Sequence, residues 1–229
     1  MPILRITYHV SRVTYCAFCF ALALVIIGYF GPWVPHKAAG LTVTGAELAD
    51  FARLFGSPRI TRELFFTPIL AAAILIGLIV NQPTNQLTNQ PTNQLTNQLP
   101  FRILLTLIAA SLALVALPPY PFLRDLMYRS QLILAVVGVG LTFLTLLARR
   151  LPRWIWGILV SLLASSGAIP ALWQFARFHP LVVTLYGRPV GVGWGSLVCA
   201  VGFALLLAWG IWGALGKSVY SSPIAPPTR

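Results

Sequence analysis

Acid is the scarcest commodity in this chain: Glu47, Asp50, Glu63 and Asp125 are the only side-chain carboxylates in 229 residues. Charge of either sign is sparse, at 9% of residues, against roughly 25% in ordinary soluble domains. With 58% of residues hydrophobic, that balance excludes an ordinary water-soluble domain and makes lipid the expected solvent. The 16 Lys and Arg leave a formal net charge of +12. They punctuate apolar runs instead of lining one surface, so they read as topology signals facing anionic headgroups, and nucleic acid is not expected as a partner.

Cysteine is also rare. Cys16, Cys19 and Cys199 all fall in apolar segments, where a thiol behaves as a small hydrophobe, so no disulfide framework is expected. Cys16 and Cys19 form a CxxC that a helix would turn to one face, but no further ligand stands near them in sequence, and no metal site is expected. A glycine-rich phosphate loop, a nucleophile elbow, an HExxH and paired carboxylates within one span are all missing. No catalytic residue is assigned, and the protein is not expected to be an enzyme.

Long apolar runs are what the chain has. Six are read as membrane spans: 15–34, 64–80, 101–118, 131–148, 154–175 and 194–215. The first follows a short segment, 1–14, carrying Arg5 and Arg12, and is longer than a signal-peptide core, so it is read as a retained helix. No Asp, Glu, Lys, Arg or His lies deeper in any span than Arg102, at the mouth of the third. Proton-coupled carriers and intramembrane hydrolases keep such groups at membrane depth. The fifth span opens and closes with tryptophans, as interfacial belts require, and Pro170 is expected to kink or end it. Small residues give helices close-packing faces: Gly157, Ser161 and Ser165 in the fifth span, Gly195 and Gly202 in the sixth. The expected fold is therefore an all-α integral membrane protein of six transmembrane helices plus one short amphipathic helix.

Between the second and third spans, 81–100 is a low-complexity loop of period four, NQPTNQLT repeated. The tetranucleotide AACC read in triplets encodes Asn-Gln-Pro-Thr, so the tract has the form of a translated microsatellite, tolerated because loop-closure entropy grows slowly with length. The segments 176–193 and 216–229 are expected to be a connector and a disordered tail.

The amphipathic helix is expected at 45–55 in the first connector, 35–63. Thr44 and Glu47 have the spacing of a capping box, Val43 and Leu48 that of a hydrophobic staple, and Gly56 with Pro58 supplies a stop. Leu48, Phe51 and Phe55 would form its apolar face, and with Trp33 they are the candidate surface for docking a partner. His36 and His179 fall on the same side of a six-span protein, each beside a proline, and are the candidate ligands for a haem, pigment or quinone. Interfacial structural histidines are the plainer reading, because metal and haem sites want more ligands or facing helical positions.

With six spans both termini share a side. Lys and Arg divide evenly between the sides, and the compact Arg149, Arg150 and Arg153 cluster favours cytoplasmic termini in a cell inner membrane. The expected role is an accessory or scaffold subunit that packs against other membrane proteins. A carrier or channel for a small neutral solute and a cofactor-binding subunit are the alternatives.

Overall fold

The computed structural model describes residues 2–35, 42–53, 61–81, 95–123, 125–187 and 189–215, without the side chains of 2–14, 95–99, 101, 149, 150 and 153. His36, Phe55, the repeats from 82 to 94 and the tail from 216 lie outside this set. The chain is all-α apart from one small hairpin. Its helices are α1 (Pro2–Phe30), α2 (Leu48–Arg53), α3 (Thr67–Val80), α4 (Leu95–Ala113), α5 (Arg129–Leu144), α6 (Arg153–Tyr186) and α7 (Trp194–Leu215). Strands β1 (Pro32–Val34) and β2 (Val43–Thr44) pair antiparallel.

Four helical stretches are long and apolar enough to cross a membrane: Arg62–Val80, Leu126–Ala148, Trp154–Tyr186 and Trp194–Leu215. The expected count of six is met only in part, because Tyr15–Phe30 and Arg102–Ala116 are apolar but shorter. At the end of the first, 32–34, read as part of the span, leaves the helix and turns into β1. The third passes after Ala113 into a 3₁₀ turn, Leu114–Ala116, before Pro118 and Pro119.

Helix α3 is the hub. It is buried along nearly its whole length and packs against α1, α4, α5 and α6. Proline at its second position costs no hydrogen bond there. Helix α7 lies between α1 and α6. A Cβ placed on Gly28 of α1 would sit 2.7 Å from the Cys199 Cα, and one on Gly157 of α6 would sit 2.5 Å from the Ala214 backbone nitrogen. The two helices thus touch α7 backbone to backbone, gaining dispersion contact along both seams.

The largest departure from expectation is α6. It does not end near residue 175; it runs for 34 residues through both Pro170 and Pro180, so the expected connector 176–193 is helical as far as Tyr186. Prolines are tolerated in such helices when neighbours satisfy the loosened carbonyls. Pro170 removes the N–H that would meet the Ser166 carbonyl; in the next residue the Gly167 carbonyl lies 3.1 Å from the Thr67 hydroxyl, which also donates to the Leu64 carbonyl at 2.8 Å. Gly187, at φ 61°, then ends the helix in the left-handed conformation that glycine adopts without strain. Helix α4 likewise begins at Leu95, inside the expected loop 81–100.

Exposed tryptophans mark two levels on this frame: Trp154 and Trp212 at one end, Trp173 and Trp194 at the other. At about 1.5 Å per residue, about 28 Å separates Trp154 from Trp173 and about 27 Å separates Trp194 from Trp212. That matches a hydrocarbon layer of about 30 Å. The last three turns of α6 rise beyond the upper level.

Candidate functional site

The chain above that level forms a small cap. The Gly45 backbone N–H donates to the Tyr29 carbonyl at 2.9 Å, folding the first connector back onto the end of α1. The Trp33 indole donates to the Gly28 carbonyl at 3.0 Å. Around Trp33 an aromatic core assembles on the upper turns of α6: Trp33 with Phe175 at 5.3 Å, Phe51 with Phe178 at 5.9 Å and Phe65 with Phe178 at 6.1 Å, all edge to face. Edge-to-face rings add about 0.5–1.5 kcal/mol per pair beyond area burial.

The capping box forms in altered shape. The Glu47 carboxylate accepts from both the Thr44 backbone N–H (2.9 Å) and the Thr44 hydroxyl (3.0 Å), and the Glu47 N–H turns to the Thr44 carbonyl (3.2 Å) instead of the side chain. The helix proper begins only at Leu48 instead of at 45 and is described as far as Arg53; its expected end at 55 lies outside the described residues. Its apolar face is consumed inside the chain. Leu48 is 0% exposed and Trp33 1%, and Phe51 is partly buried against Phe178, so these three offer little surface to a partner. The sequence marks them as apolar and interfacial but carries no signal that α6 rises to cover them.

On the flank of the cap lies a cluster that periodicity did not reveal. Arg53, at the end of α2, donates to the Tyr128 hydroxyl, and its guanidinium lies 4.9 Å from the centre of that ring. Arg62 lies 4.5 Å from the same ring and donates to the Met127 carbonyl. Arg62 also pairs with Glu63 at 3.3 Å, and Glu63 accepts from the Ser130 hydroxyl at 2.6 Å. The Asp125 carboxylate accepts from the Met127 N–H at 2.9 Å and fixes the turn that delivers Tyr128. Two cations on one ring hold the connector between α4 and α5 against the cap. Tyr120 and Leu126, in that connector, are left 87% and 81% exposed.

His179 stands on α6 beside Phe175, ring centres 5.8 Å apart, and its Nε2 is buried without a hydrogen-bond partner. It lines a cleft of about 300 Å³ between α6 and α7, walled mainly by apolar side chains such as Leu172, Val192, Leu197 and Ala200, with Ser196, whose hydroxyl is turned to the Gly193 carbonyl. His36 is outside the described residues. Among the described residues, no three His, Cys, Asp or Glu side chains come together as a metal set.

Of the small residues, Gly157, Gly195 and Gly202 face neighbouring backbone directly. The Ser161 hydroxyl donates to the Gly157 carbonyl at 2.9 Å, and Ser165 lines a second apolar cleft of about 290 Å³ with Ser161 and Leu162. At the opposite end of the bundle, fully buried Asn81 donates from Nδ2 to the Gly77 carbonyl (2.8 Å) and towards the hydroxyls of Thr145 (3.2 Å) and Thr106 (3.3 Å). One amide so joins α3, α4 and the 3₁₀ turn after α5. Asn81 is the first letter of the repeat, and nothing in a low-complexity pattern distinguishes it from the asparagines that follow.

The chain matches no family profile, no curated protein and no solved structure.

Proposed function

We propose that the protein is a six-crossing membrane subunit that works by packing, a non-catalytic accessory or scaffold component of a larger membrane assembly in a cell inner membrane. Both termini would lie on the cytoplasmic side, with the cap outside. The single observation that supports this reading is the presentation of the α4–α5 connector. Tyr120, Leu126 and Met127 project from a turn whose base is pinned by Arg53, Arg62 and Asp125. An ordered, apolar, projecting turn loses little conformational entropy on binding, which favours it as a contact surface. The docking surface therefore moves from the α2 face to this turn. Packing is favoured over solute transport by the hub helix α3, filled on every side by its neighbours, and by clefts that are apolar crevices between helices.

The test is a photoreactive side chain at position 126 in native membranes. A discrete protein adduct is expected from the full chain and should fade when Arg53→Ala unpins the turn. If position 126 yields lipid adducts alone and the chain runs as a lone monomer in mild detergent, the scaffold reading fails.

A further inference from the structure

We infer that the cleft between α6 and α7 is a binding site for one anionic phospholipid of the cap-side leaflet. The inference rests on the membrane-spanning reading above. Trp173 and Trp194 set the boundary level on the two helices that form the cleft. Leu197 and Ala200 lie below Trp194, about 4.5 Å and 9 Å along α7, within the hydrocarbon layer. They present an apolar wall, with Leu172 opposite, suited to an acyl chain.

Above the boundary the chemistry changes. Arg177 and His179 stand about 6 Å and 9 Å above Trp173 along α6, the first within and the second at the outer edge of a headgroup layer roughly 5–8 Å thick. Arg177 is exposed, and its guanidinium is steadied 4.9 Å above the centre of the Trp173 ring. His179 lines the cleft itself, with its Nε2 lacking any partner inside the protein. Helices α6 and α7 and the residues joining them contain no Asp or Glu, so nothing along them competes for a phosphate. An apolar slot below the boundary, with a fixed cation and an unsatisfied imidazole above it, has the polarity profile of a phospholipid. A net anionic headgroup is favoured over a zwitterionic one because Arg177, next in sequence to Ala176 of the cleft wall, adds a positive charge beside the cleft.

Native mass spectrometry of the full chain, delipidated in mild detergent and titrated with phosphatidylglycerol or phosphatidylcholine, tests the site. One phosphatidylglycerol per chain should be retained in preference to phosphatidylcholine. Ala200→Phe, which fills the slot, should abolish that preference, and Arg177→Gln should weaken retention about fivefold, the worth of one interfacial cation. Leu162→Phe, in the second cleft, should change nothing. Equal retention of the two lipids, or undiminished retention in Arg177→Gln, overturns the proposal. Arg177 is a surface residue, so that variant decides the matter even if Ala200→Phe fails to fold. A chain that alkaline carbonate strips from membranes would instead sink the membrane-spanning reading itself.

Discussion

Arg53 and Tyr128 meet across 75 residues of sequence, the guanidinium donating to the phenol hydroxyl and lying 4.9 Å from the centre of its ring. The contact joins the cap to the connector between α4 and α5, two parts with no covalent reason to stay together. Replacing Tyr128 with Phe keeps the ring and removes the acceptor, at a cost of about 1.5–3 kcal/mol for a hydrogen bond to a charged group. Tyr128→Ala should cost more, because both arginines lose the ring face. Thermal unfolding in detergent, followed by tryptophan fluorescence, should rank wild type above Tyr128→Phe above Tyr128→Ala. Equal midpoints would show that the pin carries no load.

Leu48→Ala should act on stability. A fully buried leucine costs about 2–5 kcal/mol when truncated, and the loss should appear as faster proteolysis of the first connector. A variant that melts like wild type yet loses a bound partner would restore α2 as a docking surface.

Gly157→Ala and Gly140→Ala make a matched pair. The first adds a methyl 2.5 Å from backbone on α7, whereas the second meets nothing within 4 Å. Overpacking at position 157 should cost about 1–3 kcal/mol, while the exposed helical position 140 should gain up to about 1 kcal/mol from helix propensity. The two midpoints should move in opposite directions.

Asn81 and the repeat that follows it should separate cleanly. Asn81→Leu strips an amide from buried threonine hydroxyls and a helix-end carbonyl, and should cost about 1–3 kcal/mol. Deleting residues 83–90, two four-residue repeats, should shift stability by less than about 1 kcal/mol, because each halving of a loop changes its closure entropy by about 0.6 kcal/mol.

Leu126→Cys, in a background lacking Cys16, Cys19 and Cys199, should react with a membrane-impermeant maleimide added to intact cells. Labelling only after lysis would invert the proposed orientation.

How much of this was legible beforehand depends on the range of the cause. Uncharged apolar runs are local, and α3, α5 and α7 stand close to where hydropathy puts them. The glycine seams were visible as small residues but not as to which helix each would meet. Helix α6 runs past its expected end because Pro170 and Pro180 are local breakers, and whether a helix continues through them depends on the packing around it, which their own neighbourhood in sequence does not show. The burial of Trp33 has the same long-range cause, since Phe175, which packs on it edge to face, stands on the part of α6 that continues past Pro170. The Arg53–Tyr128 pin was invisible for a simpler reason: nothing in either segment's own pattern specifies the other.

Synthesis order adds a constraint. Of the helices described, α1 is made before all the others, and α7, the helix it grips through Gly28 and Cys199, after them. At about 5–20 residues per second, roughly 10 to 40 seconds pass between the two. Throughout that interval the α1 seam faces lipid or an insertion chaperone instead of its mate. A chain truncated before α7 would leave that seam permanently open.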